Sequence, residues 1–437
     1  MKLFLENIGK ISKANIDIDG IAVIAGENNT GKSTVAKSLF SVISSFYDID
    51  KKIEADRLES SDEILYRMSH EVVDLKYGTS EHRRLLSYRV LSNYIHKKIS
   101  EFVKRGDIAY NNLKTTIIDE FSKNDIDIKD ESIGNTINNY LKRIEQTLEI
   151  PYEKIRNEIV GKQLALEFSN EINNIYTKNS GSIKLSLKNK CIEILIDEND
   201  VDIKKQEANV YVNAVYIDDS FIMDGLNYPD LFYINNSYCN NHKDALKCLL
   251  SDRGDKNISK SIVFEDRLKN VYNTLSSVVP GNFEFDDVGN SVYRNSDGVV
   301  LNMANISAGL KTFIIIKTLL ANGAIQEKGV LILDEPEIHL HPKLQLIFAE
   351  LIVLIQKEFN LHILLSTHSP YFLKAIEVYS KVHKISDKCK YYLTKNMGDN
   401  KKLITIDDVS DKTYKIYRLL AEPYDYLHKL EDEIHEI

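Results

Sequence analysis

A phosphate-binding loop near the start of the chain constrains the fold more than any other feature. Residues 26–33 read Gly-Glu-Asn-Asn-Thr-Gly-Lys-Ser and fit the pattern G-x-x-x-x-G-K-[ST]. The apolar run at residues 21–25 is typical of a buried strand, and apolar residues recur at helical spacing from Val35 to Ile43. A strand, a tight turn and a helix start direct backbone N–H groups and a helix dipole at one point, which favours bound phosphate.

The loop predicts a nucleoside triphosphate with Mg²⁺. Lys32 is expected to reach the β- and γ-phosphates, and the Ser33 hydroxyl is expected to ligate Mg²⁺. The residues predicted to contact the nucleotide here are Gly26, Glu27, Asn28, Asn29, Thr30, Gly31, Lys32, Ser33 and Thr34.

A fully apolar strand ending in two carboxylates supplies the second half of a phosphoryl-transfer site. Residues 329–336 read Gly-Val-Leu-Ile-Leu-Asp-Glu-Pro, a pattern typical of a central parallel strand covered on both faces. Ligands gather at the carboxyl ends of such strands, where Asp334 and Glu335 emerge. Asp334 is predicted to hold Mg²⁺, and Glu335 to orient the water that attacks the γ-phosphate.

Two further segments complete the predicted site. Residues 361–370 form a second apolar strand followed by a polar cluster, in which His368 is predicted to contact the γ-phosphate. Ser307 and Gly309 precede an apolar helical run, and a Ser and a Gly at a helix start form another phosphate-seeking surface. A plain N-cap explains that segment equally well when it is taken alone.

Composition excludes several classes of protein. The chain has 437 residues, 43% of them hydrophobic, with a net charge of −9, which argues against a protein that coats nucleic acid by bulk charge. The sequence contains no run of about 18 apolar residues of the kind that predicts a membrane span, and its N-terminus lacks the pattern of a signal peptide. The four cysteines are scattered without C-x-x-C spacing. These features predict a cytoplasmic protein without a membrane partner.

The pattern changes along the chain and predicts an inserted lobe. Residues 51–180 are charged, with apolar residues at helical intervals, and we expect a helical insertion there. Residues 181–200 predict a β-hairpin of an antiparallel β-subdomain. Residues 1–50 and 200–437 then form one split ATPase domain of α/β class, a P-loop NTPase with a largely parallel central sheet.

The order of these segments resembles the ABC-type ATPases, specifically the SMC/RecF branch with the overcoming-lysogenization-defect (OLD) ATPases. Residues 329–342 look very like the OLD form of the acidic strand and the loop after it. Ser307 and Gly309 fall where the family signature Leu-Ser-Gly-Gly-Gln has its Ser and second Gly, whereas Ala308 and Leu310 replace its first Gly and its Gln. The family's lid glutamine has no obvious counterpart in this chain.

The resemblance implies a head-to-tail homodimer, with any higher assembly left open. ATP would then be sandwiched between Lys32 and Ser33 of one chain and Ser307 and Gly309 of the other, so that hydrolysis requires the dimer. The same resemblance makes His339 and His341 loop residues near the dimer seam rather than metal ligands.

The OLD nucleases carry a TOPRIM catalytic domain after the His strand, but only 69 residues follow His368 here. We therefore expect the effector, a nuclease, to be a separate protein, as for the anti-phage defence ATPases of the Septu and PARIS kind. A RecF-like repair ATPase that clamps DNA is the alternative, and a transporter subunit is disfavoured by the missing signature Gln.

A basic stretch keeps the DNA alternative open. Residues 81–114 carry eight Lys and Arg against three acidic residues, net +5 within an acidic chain. A solvated helix face explains such a stretch as well as a DNA or acidic-protein contact does.

Reversing four charges in this stretch separates the two alternatives. If the chain clamps duplex DNA, exchange of Lys97, Lys98, Lys104 and Arg105 for Glu removes DNA stimulation of ATP hydrolysis, because phosphate contacts supply most non-specific affinity. A scaffold for a partner protein keeps normal turnover in the same variant. Steady-state ATPase rates with and without duplex DNA check this. DNA stimulation that survives the exchange would contradict the clamp.

Overall fold

The computed structural model describes residues 1–77, 115, 118–119, 130–177, 179–227, 241–252, 268–397 and 403–435. The chain divides into two compact units, one formed by residues 1–47 with 159–437 and the other by residues 48–158. The basic stretch at residues 81–114 lies outside the described part of the chain.

Fourteen described strands form two sheets in the first unit. In chain order they are β1 (Lys2–Ile8), β2 (Ile11–Asp17), β3 (Ile21–Ala25), β4 (Gly181–Leu187), β5 (Lys190–Asp197), β6 (Asp200–Gln206), β7 (Ala214–Ile217), β8 (Asn282–Phe285), β9 (Ser291–Arg294), β10 (Val300–Asn302), β11 (Val330–Asp334), β12 (His362–Thr367), β13 (Cys389–Met397) and β14 (Leu403–Asp408).

The described α-helices, numbered in the same way, flank the sheet or form the second unit. They are α1 (Lys32–Phe46), α2 (Ile49–Tyr77), α3 (Glu131–Leu148), α4 (Tyr152–Phe168), α5 (His242–Ser251), α6 (Lys269–Val278), α7 (Ala308–Ala321), α8 (Pro342–Phe359), α9 (Pro370–Val382) and α10 (Tyr414–His435). Among the described residues, none of them is both long and apolar enough to cross a membrane.

The larger sheet has eleven strands in the order β6-β5-β4-β1-β2-β14-β13-β3-β12-β11-β7. Strands β7, β11, β12, β3 and β13 pair with one another in parallel, and β14 is parallel to β2. The β13–β14 pair and the β6-β5-β4-β1-β2 arm are antiparallel. Strands β10-β9-β8 form a separate antiparallel sheet. The predicted α/β class, with a parallel centre and antiparallel strands beside it, is therefore confirmed.

The central strands are apolar on every residue because each face of the sheet has its own core. In β3, Ile21, Val23 and Ala25 point into one hydrophobic cluster, while Ala22 and Ile24 point into the other. Strands β11 and β12 divide their residues in the same alternating way. Successive strand side chains face opposite sides, so only a strand covered twice excludes polar residues completely.

The second unit contains α2, α3 and the first turns of α4. Helices α2 and α3 share a small core of their own, which includes Met68, Val72, Ile137 and Leu141. Helix α3 begins after Asp130, whose side chain accepts hydrogen bonds from the backbone N–H groups of the first turn.

Residues 159–180, which the sequence assigns to the insertion, belong to the first unit instead. Val160, Leu164 and Ile172 explain this, since all three are buried in a core of the main sheet. Strand β6 likewise extends the predicted hairpin to a three-stranded meander. The assignment of these ranges to functional domains stays a prediction.

Candidate functional site

The phosphate loop is a tight turn held by its own backbone. It connects β3 to α1, whose N-cap Gly31 has φ 79°, in the left-handed region that glycine adopts at little cost. Asn29 also has a positive φ, 62°, and the Thr30 hydroxyl donates to the Glu27 carbonyl at 2.7 Å. Glycine is required at Gly26 too, because a Cβ there would collide with the Thr394 hydroxyl.

The outer residues of the loop face solvent. Glu27, Asn28, Asn29 and Ser33 are exposed, and Thr34 is half-buried in the first turn of α1. The loop thus presents its polar surface outward at the end of a buried strand, at the start of a helix whose dipole attracts anions.

Lys32 lies inside this loop and is almost fully buried. Its Nζ donates to the carbonyl oxygens of Gly26 at 3.2 Å and Glu27 at 2.9 Å, and lies 3.5 Å from Glu335 Oε1. Burial lowers the pKa of Lys32, while the carboxylates of Glu335 and Asp334 oppose that shift. The side chain is therefore a partly desolvated cation between the loop and the acidic strand end, an arrangement suited to binding phosphate.

Asp334 ends β11 with both carboxylate oxygens engaged by hydroxyl groups. Ser366 on β12 donates to Oδ1, and Tyr216 on β7 donates to Oδ2 at 3.2 Å. The buried carboxylate of Asp334 and the exposed hydroxyl of Ser33 in the first turn of α1 are hard oxygen ligands of the kind that Mg²⁺ prefers. These residues fit the ion. Within the described ranges, no group of three or more His, Cys, Asp or Glu residues could hold a metal by itself, and His339 and His341 form no such group.

Glu335 has a left-handed backbone conformation, and its carboxylate lies beside His368 and Lys32. Its φ of 49° lies in the left-handed region, a strained conformation for a residue with a side chain. Its N–H donates to the Ser366 hydroxyl at 3.0 Å, which fixes the turn. Its Oε1 lies 2.6 Å from His368 Nε2 and 3.5 Å from Lys32 Nζ. Lys32 and His368 therefore both contact the Glu335 carboxylate.

Glu337 is a buried residue of the site to which sequence reasoning assigned no function. Its Oε1 accepts hydrogen bonds from the Thr367 hydroxyl, from the His368 N–H at 2.9 Å and from the Ser369 N–H at 3.3 Å. Its Oε2 is buried and makes no hydrogen bond. Burial raises the pKa of Glu337. The side chain thus anchors the backbone that carries His368. The signal in the sequence that could have identified Glu337 is a carboxylate directly after the proline that follows Asp334 and Glu335.

Ser307 and Gly309 lie at the start of α7. Ser307 is the exposed N-cap of the helix, and its side chain makes no capping hydrogen bond. Gly309 packs against the loop after β11, where a Cβ would come within 2.9 Å of the His339 carbonyl oxygen. Within one chain, Gly309 therefore borders the loop that follows the acidic strand.

Comparison with known proteins identifies a family and a distant structural likeness. A family model described as an AAA ATPase domain matches residues 1–373. The SMC head domain from Thermotoga maritima superposes with a TM-score of 0.37 at 9% identity, over 93% of this chain and 98% of that one. An Smc head with an extended coiled coil, bound to the C-terminal domain of ScpA and derived from Pyrococcus furiosus, gives 0.40 at 11% identity, over 95% and 98%. The family assignment rests on the match to residues 1–373.

Replacing Glu337 by Gln tests the burial of this carboxyl group through the pH dependence of the protein's stability. Because its folded-state pKa is raised above 4.5, the stability linked to this group is complete below that pH and is lost as pH rises through the raised value. Gln cannot ionise, so the unfolding free energy of Glu337→Gln relative to wild type should increase over this window. Urea denaturation at several pH values measures it.

Glu337→Leu is the matched control, since it removes the acceptor as well as the charge. It leaves the N–H of His368 without its acceptor, and relative to Glu337→Gln it should cost about 1–3 kcal/mol at every pH, because neither variant ionises at this position. A pH-independent difference between Glu337→Gln and wild type would contradict the assignment.

Proposed function

The chain belongs to the AAA ATPase domain family, and from this membership we propose that it binds and hydrolyses ATP as a dimeric nucleotide switch. The observation that carries the proposal is the contact of Lys32, Glu335 and His368 beside Asp334, at the carboxyl ends of three neighbouring parallel strands. Ligands of open α/β sheets bind at this edge.

Each side chain has a distinct part in the proposed reaction. The loop N–H groups and Lys32 bind the phosphates, and Ser33 and Asp334 would hold Mg²⁺, which compensates phosphate charge when bound. Glu335 is the candidate to orient the attacking water and accept its proton. We propose that His368, whose Nε2 lies 2.6 Å from Glu335 Oε1, contacts the γ-phosphate and fixes that carboxylate.

The surroundings of Glu335 support a positioning mechanism. Its strained turn is restrained by Ser366, and the His368 backbone is anchored by Glu337. Phosphoryl transfer depends mainly on position and charge compensation, so rigid anchoring of both side chains favours catalysis.

The exposed start of α7 supports a site shared between two chains. Ser307 faces solvent at a helix N-terminus, where backbone N–H groups and the dipole favour phosphate. We propose that Ser307 and Gly309 of one protomer cover the nucleotide held by Lys32 and Ser33 of the other. ATP then stabilises the closed dimer because its phosphates contact both halves, and loss of the γ-phosphate releases it.

We further propose that this switch is the ATPase component of an anti-phage defence system with a separate effector, a nuclease. The OLD-like form of residues 329–342 supports this proposal. DNA clamping in repair remains the competing function, and the basic stretch at residues 81–114 is its support.

Glu335→Gln tests the catalytic assignment. Gln keeps the size of the side chain but cannot accept a proton, so turnover should fall about 10²- to 10⁴-fold, while ATP binding persists and the dimer remains closed. Single-turnover ATPase assays, nucleotide-binding titrations and light scattering measure the three effects. Turnover at the wild-type rate would remove Glu335 from this role.

Mixing two inactive variants tests the shared site. Lys32→Ala removes phosphate binding from one half, and Ser307→Arg blocks the other half with a bulky cation. Each homodimer should be inactive, whereas a mixed dimer contains one intact site and regains part of the wild-type activity. Because each protomer then supplies what its twin lacks, an inactive mixture would contradict the head-to-tail arrangement, as would either variant hydrolysing ATP alone.

A further inference from the structure

A buried histidine bound by two carboxylates lies behind the predicted metal site. His242 Nδ1 lies 2.8 Å from Glu167 Oε2, and its Nε2 lies 2.9 Å from Asp218 Oδ2. The backbone N–H of His242 also donates to Glu167. Since a carboxylate faces each ring nitrogen, both nitrogens donate and the ring is a cation.

The charge state of this ring follows from its partners. Burial alone would lower the pKa of His242, but the hydrogen bonds and charges of Asp218 and Glu167 raise it to about 9. The imidazolium is therefore retained at neutral pH inside the protein, where its orientation is set by two ion pairs from different elements.

The ring of Tyr216 packs on this imidazolium. The two ring centroids are 4.2 Å apart at an interplanar angle of 26°, a stacked geometry that favours a cation over an aromatic face. Phe40 of α1 contacts both rings, at centroid distances of 6.0 Å to Tyr216 and 6.2 Å to His242. Tyr216 is fully buried, and its ring is enclosed in the close-packed interior.

The hydroxyl of Tyr216 connects this cluster to the site. It donates to Asp334 Oδ2 at 3.2 Å, while Ser366 binds the other oxygen of that carboxylate. A tyrosine hydroxyl carries its proton at neutral pH and can donate to a carboxylate, which accepts only. The two donors together fix the plane of the Asp334 carboxylate.

We propose that Tyr216 is a positioning residue for the metal ion of the site, held in place by the stacked His242. This inference rests on the proposed function, because it assigns Mg²⁺ to Asp334. Side chains that orient a metal-binding carboxylate tune metal affinity without touching the metal. Loss of the Tyr216 hydroxyl should then weaken metal binding while leaving the phosphate loop, and with it metal-free nucleotide binding, unchanged.

Tyr216→Phe tests this, because it removes one oxygen and keeps the stacked ring. The probe is Mn²⁺ with a non-hydrolysable ATP analogue, followed by the electron paramagnetic resonance of free Mn²⁺. We expect Mn²⁺ affinity to fall about 10- to 100-fold. Analogue binding in EDTA should match that of wild type, and the Mg²⁺ concentration for half-maximal ATPase activity should rise in parallel.

Tyr392→Phe is the matched control. Tyr392 is also buried in the main sheet, and its hydroxyl accepts a hydrogen bond from the Asp17 N–H at 2.8 Å, with no contact to Asp334. It should leave Mn²⁺ affinity unchanged. Equal Mn²⁺ affinity in Tyr216→Phe and wild type would overturn the proposal, as would an equal loss in both Phe variants, which indicates general sheet damage.

His242→Gln tests the second link. Alone it should weaken Mn²⁺ binding, and added to Tyr216→Phe it should cause no further loss, because both changes act through one hydroxyl. A further loss of Mn²⁺ affinity in the double variant would overturn the proposal that His242 holds Tyr216 in place. If His242→Gln does not fold, Tyr216→Phe alone decides the proposal. Failure of the proposed function looks different, since wild-type protein would then bind no Mn²⁺ with the analogue and hydrolyse no ATP.

Discussion

The pairing of β12 with β3 on one side and β11 on the other is the constraint on which the site depends. Both pairings are parallel, with Ala25 opposite Thr367 and Asp334 opposite Ser366. The phosphate loop, the carboxylates and His368 therefore leave the sheet at one level and one edge. Parallel pairing requires long crossovers, which here pass through helices packed on both faces of the sheet.

Three carboxylates within four residues acquire different properties from their surroundings. Asp334 is held by two hydroxyl donors, Glu335 lies between a lysine and a histidine, and Glu337 is buried with one oxygen unpaired. Only Glu335 is on a strained, partly exposed turn, where a side chain can approach a ligand. The differences come from partners on β7, β12 and the phosphate loop, and they fit the separate parts of metal ligand, base and anchor that we propose for these acids.

The parts of the fold that could be predicted are those that short patterns of apolar residues in the sequence determine. Full apolarity of residues 21–25 and 330–333 predicted strands covered on both faces, and the two hydrophobic clusters confirm it. The end of the insertion could not be predicted, because α4 is one continuous helix whose later residues pack in the main core. The spacing of apolar residues predicts which face of a helix is buried, but it does not predict which hydrophobic core that face packs against.

The sequence alone determined the chemistry present: a lysine after a glycine turn, two carboxylates and a histidine after apolar strands. Short-range patterns suffice for this because turns and strands depend on neighbouring residues. Only the tertiary structure decided which groups meet. Tyr216 reaches Asp334 across 118 positions, and His242 reaches Glu167 across 75. Such contacts depend on strand order and helix packing, so the anchoring by Glu337 and the cluster behind Asp334 became visible only in the folded chain.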